Sequence, residues 1–259
     1  MLSQITKKIV INDFRKEDLK NGGQGAPLTP IFHKLISSII NQKFRISYPL
    51  GIVNIGGITN ISLISDNNEF NNSNLYAYDI APGNCLIDKW IRRNSNKKFD
   101  KDGKIAASGK VDELILNQAI DNFELSKYEQ SLDINDFDIS FVKGLSLEDG
   151  CATLTKFTAF LIAKGIEYTN NLNKSKCELF LTCGGGRKND FLIKSINENF
   201  IDKKNELKKI DDYGFDGDFI ESQSFGYLAI RTFLKRPISF PSTTRCLSST
   251  IGGTINKNF

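Results

Sequence analysis

Three stretches of this chain combine residue types that could hold a phosphate beside a proton acceptor. In Gly51-Ile-Val-Asn-Ile-Gly-Gly-Ile-Thr-Asn-Ile-Ser-Leu-Ile64, two β-branched runs meet at Gly56-Gly57 with Asn54 just ahead. That is the pattern of a tight hairpin turn. Glycine amides with no Cβ in the way can close on a phosphate as an anion nest; glycines that only meet turn geometry leave the same trace. In Tyr78-Asp-Ile-Ala-Pro-Gly-Asn84, Asp79 ends a strand over 75–80, and Asn84 is placed to cap the helix that follows. A carboxylate at the carboxyl end of a strand is where open α/β sheets put ligand chemistry; it is equally a common turn former. In Leu181-Thr-Cys-Gly-Gly-Gly-Arg-Lys-Asn189, an apolar strand turns through Gly184-Gly185-Gly186 into a helix. Such a turn can offer backbone amides and a helix N-terminus to a nucleotide. It is neither a G-x-G-x-x-G nor a Walker Gly-Lys-Ser/Thr segment.

Two further groups have polar chemistry. Gln24 sits among Gly22, Gly23 and Gly25, where it and nearby amides could touch a sugar or simply form a surface connection. Glu221, with Ser222, Gln223 and Ser224, opens a helix carrying Phe225, Leu228 and Phe233. An acid there suits the helix dipole, and the cluster equally suits hydroxyl recognition.

Positioning these groups falls to alternating strands and helices. Residues 8–13 read as a short strand. From Pro30 the pairs Ile31/Phe32, Leu35/Ile36 and Ile39/Ile40 recur every four residues, an amphipathic helix with Pro in its first turn. His33 lies between the pairs and is assigned no role. The helix after Asn84 carries Leu86, Ile87, Trp90 and Ile91 as its apolar face. Another helix is expected over 111–120, and residues 124–143 read as an insertion-like surface segment. Ser146-Leu-Glu-Asp149 starts like a capping box and opens a long helix with Leu154, Phe157, Leu161 and Ile162 on one face, expected to cover the sheet. Residues 202–212 read as charged and solvated, and 236–244 as an extended loop.

The 259 residues suffice for one large core or two modest ones. An apolar fraction of 40% with 25% charged residues is that of a soluble globular protein. The net charge is only +4 and the lysines are dispersed, whereas a nucleic-acid binder more often carries a basic stripe. The five cysteines (Cys85, Cys151, Cys177, Cys183, Cys246) form no Cys-x-x-Cys pair, and His33 is the single histidine. That argues against a disulfide scaffold and against a Cys/His zinc site. No apolar run reaches membrane-spanning length, and the first residues have no apolar signal core. A cytoplasmic protein, away from membranes, is expected.

Taken in order, the three stretches and Asp216-Gly-Asp-Phe-Ile-Glu-Ser-Gln-Ser-Phe-Gly-Tyr-Leu-Ala-Ile-Arg231 resemble the anhydro-N-acetylmuramic acid kinases of the actin-like sugar kinase superfamily, over roughly Asp13 to Thr250. The resemblance implies an α/β fold: an actin-like (ribonuclease H-like) ATPase-superfamily lobe, with a mixed sheet flanked by helices and ATP in a cleft between two lobes. It implies Asn54, Gly56 and Gly57 as a phosphate-binding turn, and Gly184, Gly185, Gly186 and Asn189 as the adenosine-binding turn. Asp79 matches the general base that activates water to open the 1,6-anhydro bridge while O6 accepts the γ-phosphate. Gln24, Gly25, Asn84 and Glu221 fall where sugar-facing groups are expected. ATP and Mg²⁺ are the implied cofactors and a small amino sugar the substrate. The product, N-acetylmuramic acid 6-phosphate, belongs to peptidoglycan recycling.

The family's Gly-Thr-Ser-x-Asp-Gly phosphate loop does not occur in this chain. Residues 1–12 are accordingly expected to be a remnant of the first lobe, 13–238 the second lobe, and 239–259 a segment returning to the first. Half the phosphate cradle and the water exclusion of a closed cleft would then be missing. The chain alone is expected to be an impaired kinase; the alternatives are an inactive nucleotide-binding remnant or one half of a split kinase, and the partners expected besides the amino sugar are a separate first-lobe polypeptide or a second copy in a homodimer. Ile9, Val10, Phe240 and Ile251 are expected to lie exposed.

Overall fold

The computed structural model describes residues 1–66, 72, 74–123, 132–174 and 176–258. In chain order the first elements are α1 (Leu2–Thr6), β1 (Val10–Asn12), α2 (Lys16–Lys20), α3 (Pro30–Phe44), β2 (Leu50–Ile55), β3 (Ile58–Ile64), β4 (Leu75–Pro82) and α4 (Cys85–Asn94). They are followed by α5 (Lys104–Ser108), α6 (Glu113–Asp121), α7 (Leu147–Leu172), β5 (Leu179–Cys183), α8 (Asp190–Asn199), β6 (Glu206–Lys209), α9 (Ile220–Phe233), α10 (Pro241–Thr244) and β7 (Thr254–Asn256).

Apolar, mostly branched side chains make the main sheet: Ile52, Val53, Ile55, Ile61, Leu63, Leu75 and Ile80 are all fully buried. Its strands bond in the order β4-β3-β2-β5-β6. Counting these five along the chain, that is 3-2-1-4-5, the order of a ribonuclease H-like lobe. The two-residue link Gly56-Gly57 forces β2 and β3 to run antiparallel, whereas β2 pairs β5, and β5 pairs β6, in parallel. The sheet is therefore mixed. Its inner strand β2 carries buried residues pointing to both faces, as a strand covered on two sides must.

The chain divides into two compact units. One comprises Pro49–Ile61 and Tyr78–Asp218. Its long helix α7 starts at Ser146, whose hydroxyl accepts the Asp149 N–H at 3.0 Å. Leu154, Phe157, Leu161 and Ile162 are buried, and α7 packs against α4, α5, α6 and α8. The other unit comprises Met1–Tyr48, Ser62–Ala77 and Phe219–Phe259. Here β1 and β7 pair antiparallel, Val10 opposite Asn256 and Asn12 opposite Thr254. Helix α3 begins at Pro30 and buries Ile31, Phe32, Ile36 and Ile40. His33, on the same helix, is buried and shares a 2.8 Å hydrogen bond with Ser62 Oγ.

Four stretches depart from the sequence expectation. Asp79 lies within β4, which runs on to Pro82, so it does not end its strand. Residues 132–143 are not all surface: Phe137, Ile139 and Val142 are buried; residues 124–131 lie outside the described residues. Within 202–212, Leu207 and Ile210 are buried and 206–209 form β6, two apolar anchors hidden by the surrounding charge. Residues 236–244 hold α10, bury Ile238 and Phe240, and bridge Ser239 to Thr250. Phe240 is thus packed and Val10 half-buried, while Ile9 and Ile251 are exposed.

Candidate functional site

Strand register creates the site. β2 lies on β5 with Asn54 opposite Cys183, so both strands end at one level and their glycine turns leave the sheet side by side. Carboxyl ends of neighbouring parallel strands are the ligand edge of an open α/β sheet. Gly184 has φ 78° and ψ 175°, a region essentially confined to glycine. A Cβ there would stand 2.4 Å from Asn54 Oδ1 and 2.7 Å from the Ile55 carbonyl oxygen. The second turn is pressed onto the end of β2.

The hairpin turn is clasped from its other side by the entry to α4. Gly83 N–H donates to the Gly57 carbonyl at 2.9 Å and Asn84 N–H to the Gly56 carbonyl at 2.7 Å. A Cβ on Gly83 would lie 2.3 Å from the Gly56 oxygen, so only glycine permits this approach. The Asn84 side chain makes no capping bond to its own helix. It donates instead to the carbonyls of Gly56 (3.1 Å) and Ile55 (3.4 Å), because the α4 entry brings the turn's oxygens within its reach. Among the described residues, a Cβ built on Gly56, Gly57 or Gly185 would meet nothing closer than 3.4 Å, which leaves these backbones open to a ligand.

Behind the triple glycine stands Arg187, 3% exposed. Its guanidinium donates to the Gly184 carbonyl at 3.0 Å, to Asp211 at 2.7 and 3.0 Å and to Asp218 at 2.8 Å. Hydrogen bonds from Arg187 and then Lys188 hold the Asp218 carboxyl down at about 2. Asn189 Oδ1 accepts the Leu192 N–H at 2.9 Å and so caps α8. Beside this turn opens a cavity of about 430 Å³, with Ile87 and Phe99 as apolar lining, Asn84, Gly185 and Asn189 as polar lining, and Asp88, Asp100, Lys101, Asp102 and Lys188 as charged lining.

Asp79 is half-buried and accepts the Leu132 N–H at 3.0 Å. Burial raises its pKa above the usual carboxylate range, and the Leu132 N–H holds part of that rise back. Two residues on, Ile134 Cδ1 comes within 3.6 Å of a Cβ built on Gly57, so one short segment touches both Asp79 and the hairpin turn.

Gln24, Gly25 and Glu221 belong to the other unit. There the glycine loop is organised by buried Asp18, which accepts the Gly25 N–H at 2.8 Å and the Thr244 hydroxyl at 2.6 Å. The Gln24 N–H is bonded to the Thr244 carbonyl at 2.8 Å. Glu221 stands exposed on the first turn of α9. Sequence reasoning missed Arg187, Asp18 and Gly83 as organisers. A signal existed for one of them: an arginine directly after three glycines, with Asp211, Asp216 and Asp218 ahead in the chain. Among the described residues no group of three or more His, Cys, Asp or Glu could hold a metal ion. Among them, too, no helix is long and apolar enough to cross a membrane.

A family model described as anhydro-N-acetylmuramic acid kinase matches residues 1–258. The chain belongs to the anhydro-N-acetylmuramic acid kinase family. It is 51% identical over 261 residues to the anhydro-N-acetylmuramic acid kinase of Pelagibacter ubique, covering 100% of this chain and 68% of that one. It is 36% identical over 257 residues to the protein of that name from Zymomonas mobilis, covering 98% and 66%. For that from Methylobacterium nodulans it is 36% over 245 residues, covering 94% and 61%. The chain thus spans about two thirds of the length of the curated family members it matches. Among solved structures it is similar to the activator of 2-hydroxyisocaproyl-CoA dehydratase from Clostridium difficile with bound ADPNP, at 12% identity and a TM-score of 0.43, covering 78% of this chain and 68% of that one. Component A of (R)-2-hydroxyglutaryl-CoA dehydratase from Acidaminococcus fermentans is similar at 14% identity and a TM-score of 0.42, covering 76% and 69%. Both likenesses are distant; sheet order and family membership establish the actin-like lobe.

Proposed function

We propose that this chain binds ATP along its two glycine turns and contributes Asp79 to transfer of the γ-phosphate onto O6 of 1,6-anhydro-N-acetylmuramic acid. The observation that carries the reading is the alignment of Asn54 with Cys183, which sets two open glycine backbones at one sheet edge. Asn54, Gly56 and Gly57 would face the phosphates. Gly184, Gly185, Gly186 and Asn189 would frame the adenosine, whose flat base suits the cavity between Ile87 and Phe99. Asn84, Gln24 and Glu221 would recognise sugar hydroxyls; the Gly25 amide is committed to Asp18 and would act by shaping its loop.

In the reaction Asp79 takes a proton from water as the water oxygen bonds to C1 of the sugar. The C1–O6 bond breaks, O6 bonds to the γ-phosphorus, and the bond from that phosphorus to ADP breaks. The products are N-acetylmuramic acid 6-phosphate, ADP and the proton carried off by Asp79. A raised pKa suits that carboxylate to accept a proton near neutral pH. With no acidic cluster among the described residues to cage it, a Mg²⁺ ion would be held chiefly by the triphosphate and water, and would there neutralise phosphate charge. Such a reaction would return cell-wall fragments to use in the cytoplasm. Phosphoryl transfer needs donors all round the γ-phosphate, and no Gly-Thr-Ser-x-Asp-Gly loop is present in these residues. The polypeptide by itself is therefore expected to bind nucleotide and turn over slowly, faster when a first-lobe polypeptide is added.

Hydrogen exchange with and without ATP tests the binding. Slowed exchange at 54–57 and 184–189 is expected, and unchanged exchange at both turns would overturn the reading. Product formed in ¹⁸O-water should carry the label at the C1 hydroxyl. Label in the phosphate would mean that water attacks phosphorus and that the Asp79 assignment is wrong.

A further inference from the structure

One carboxylate stands where the nucleotide cavity and the hairpin turn meet, and the reaction above gives it no role. Asp88, on the first turn of α4, lines the cavity of about 430 Å³ beside the triple glycine. It also lines a second cavity, of about 590 Å³, which Gly57 and Cys85 border. All of these residues belong to the unit of 49–61 and 78–218. Asp88 thus lies between the place proposed for the base and the turn proposed for the phosphates. In a nucleotide, the group between base and phosphates is the ribose.

The two other acids described at the nucleotide cavity are engaged elsewhere. Asp100 is buried, and its two oxygens accept the Ile105 N–H at 2.8 Å and the Ala106 N–H at 3.0 Å. Asp102 pairs with Lys104 at 3.1 Å and is not among the described residues lining the cavity at Gly57. The Asp88 side chain is only 23% exposed. Its Oδ2 accepts from Arg92 at 3.2 Å, and Oδ1 has no hydrogen bond among the described residues. Burial raises the Asp88 pKa, and the Arg92 charge holds part of that rise back. Arg92 is itself exposed, and so open a pair stabilises little. The desolvated oxygen is a cost that a donor on a ligand would offset.

That donor is not phosphate, whose charge repels a carboxylate. Ribose is uncharged and presents two adjacent hydroxyls. A hydroxyl that donates to an ionised oxygen makes a shorter and stronger bond than neutral groups make. Resting on the nucleotide reading above, we propose that Asp88 accepts a hydrogen bond from a ribose hydroxyl and so makes that hydroxyl a requirement for tight nucleotide binding.

Calorimetric titration of the full chain with ADP, 2′-deoxy-ADP and 3′-deoxy-ADP tests this. ADP should bind roughly tenfold more tightly than at least one deoxy form, and the weaker form identifies the donating hydroxyl. Asp88→Ala should weaken ADP by the same factor without weakening that deoxy form, so that the preference disappears. Asp88→Asn keeps the side-chain volume without the charge and should retain only part of the preference, with circular dichroism confirming the fold of both variants. An Asp88 acting only through its charge or its packing would shift all three nucleotides alike, and that result would overturn the proposal. Equal binding of the three to the unaltered chain would also overturn it and leave the reading of the glycine turns standing. No binding of ADP at all would overturn both.

Discussion

Acidification from pH 7 to pH 5 should weaken this protein through one side chain. His33 is 1% exposed, and burial lowers its pKa from 6.5 to about 4. The sign follows from proton uptake: below pH 6.5 the unfolded chain binds a proton that the folded chain refuses. Stability contributed by the neutral imidazole is therefore complete above 6.5 and is lost as pH falls toward 4. At pH 5 the unfolded histidine is almost fully protonated and the folded one almost fully neutral. One pKa unit is worth about 1.4 kcal/mol, so the loss by pH 5 is about 2 kcal/mol. Urea unfolding at the two pH values reads it as a fall in midpoint at constant slope. His33→Gln, with the same carboxylates titrating, should lose about 2 kcal/mol less over that interval. No other histidine exists to blur the comparison. Equal pH dependence in the two proteins would refute the reasoning, whatever the variant's stability at pH 7.

Gly184→Ala should cost about 2–6 kcal/mol, from a backbone region foreign to alanine and a Cβ driven into Asn54 and Ile55. Gly226→Ala, on the exposed side of α9 with nothing within 4 Å, should stabilise by about 0.5–1 kcal/mol; urea midpoints that fail to separate the pair would contradict the packing described. Asp79→Asn should slow phosphoryl transfer by roughly 10²–10⁴-fold with ATP affinity kept. Because the ionised carboxylate is the base and its pKa is raised, kcat/KM should decline with falling pH above the ordinary carboxylate range. A limb at or below that range would count against the role.

What could be read in advance depended on whether the cause was local. The Gly56-Gly57 turn, the Pro30 start of α3 and the Ser146 start of α7 each rest on a few adjacent residues, and all stand where their residues indicated. Asn84 was legible as the residue before a helix, but which carbonyls its side chain meets depends on a turn 28 positions earlier. Asp18 looks like one more charge in Lys-Glu-Asp-Leu-Lys, and only Thr244, 226 positions away, makes it the centre of a loop. Strand β6 is hard to see in the sequence because its one buried side chain, Leu207, sits among lysines and acids whose stems and heads reach solvent. Asp79 was found by its neighbours Pro82 and Gly83, yet its raised pKa comes from burial that no local pattern contains.

The pairing of Val10–Asn12 with Thr254–Asn256 sets an order on biosynthesis. On the ribosome, the unit formed by 49–61 and 78–218 has all its pieces before residue 219 is added. The remaining unit must hold residues 1–48 unfinished until 219–259 emerge, a wait of roughly 10–40 s at ordinary elongation rates. During that interval the apolar faces of α3 and β1 are the nascent chain's open liability, and chaperone contacts should concentrate there.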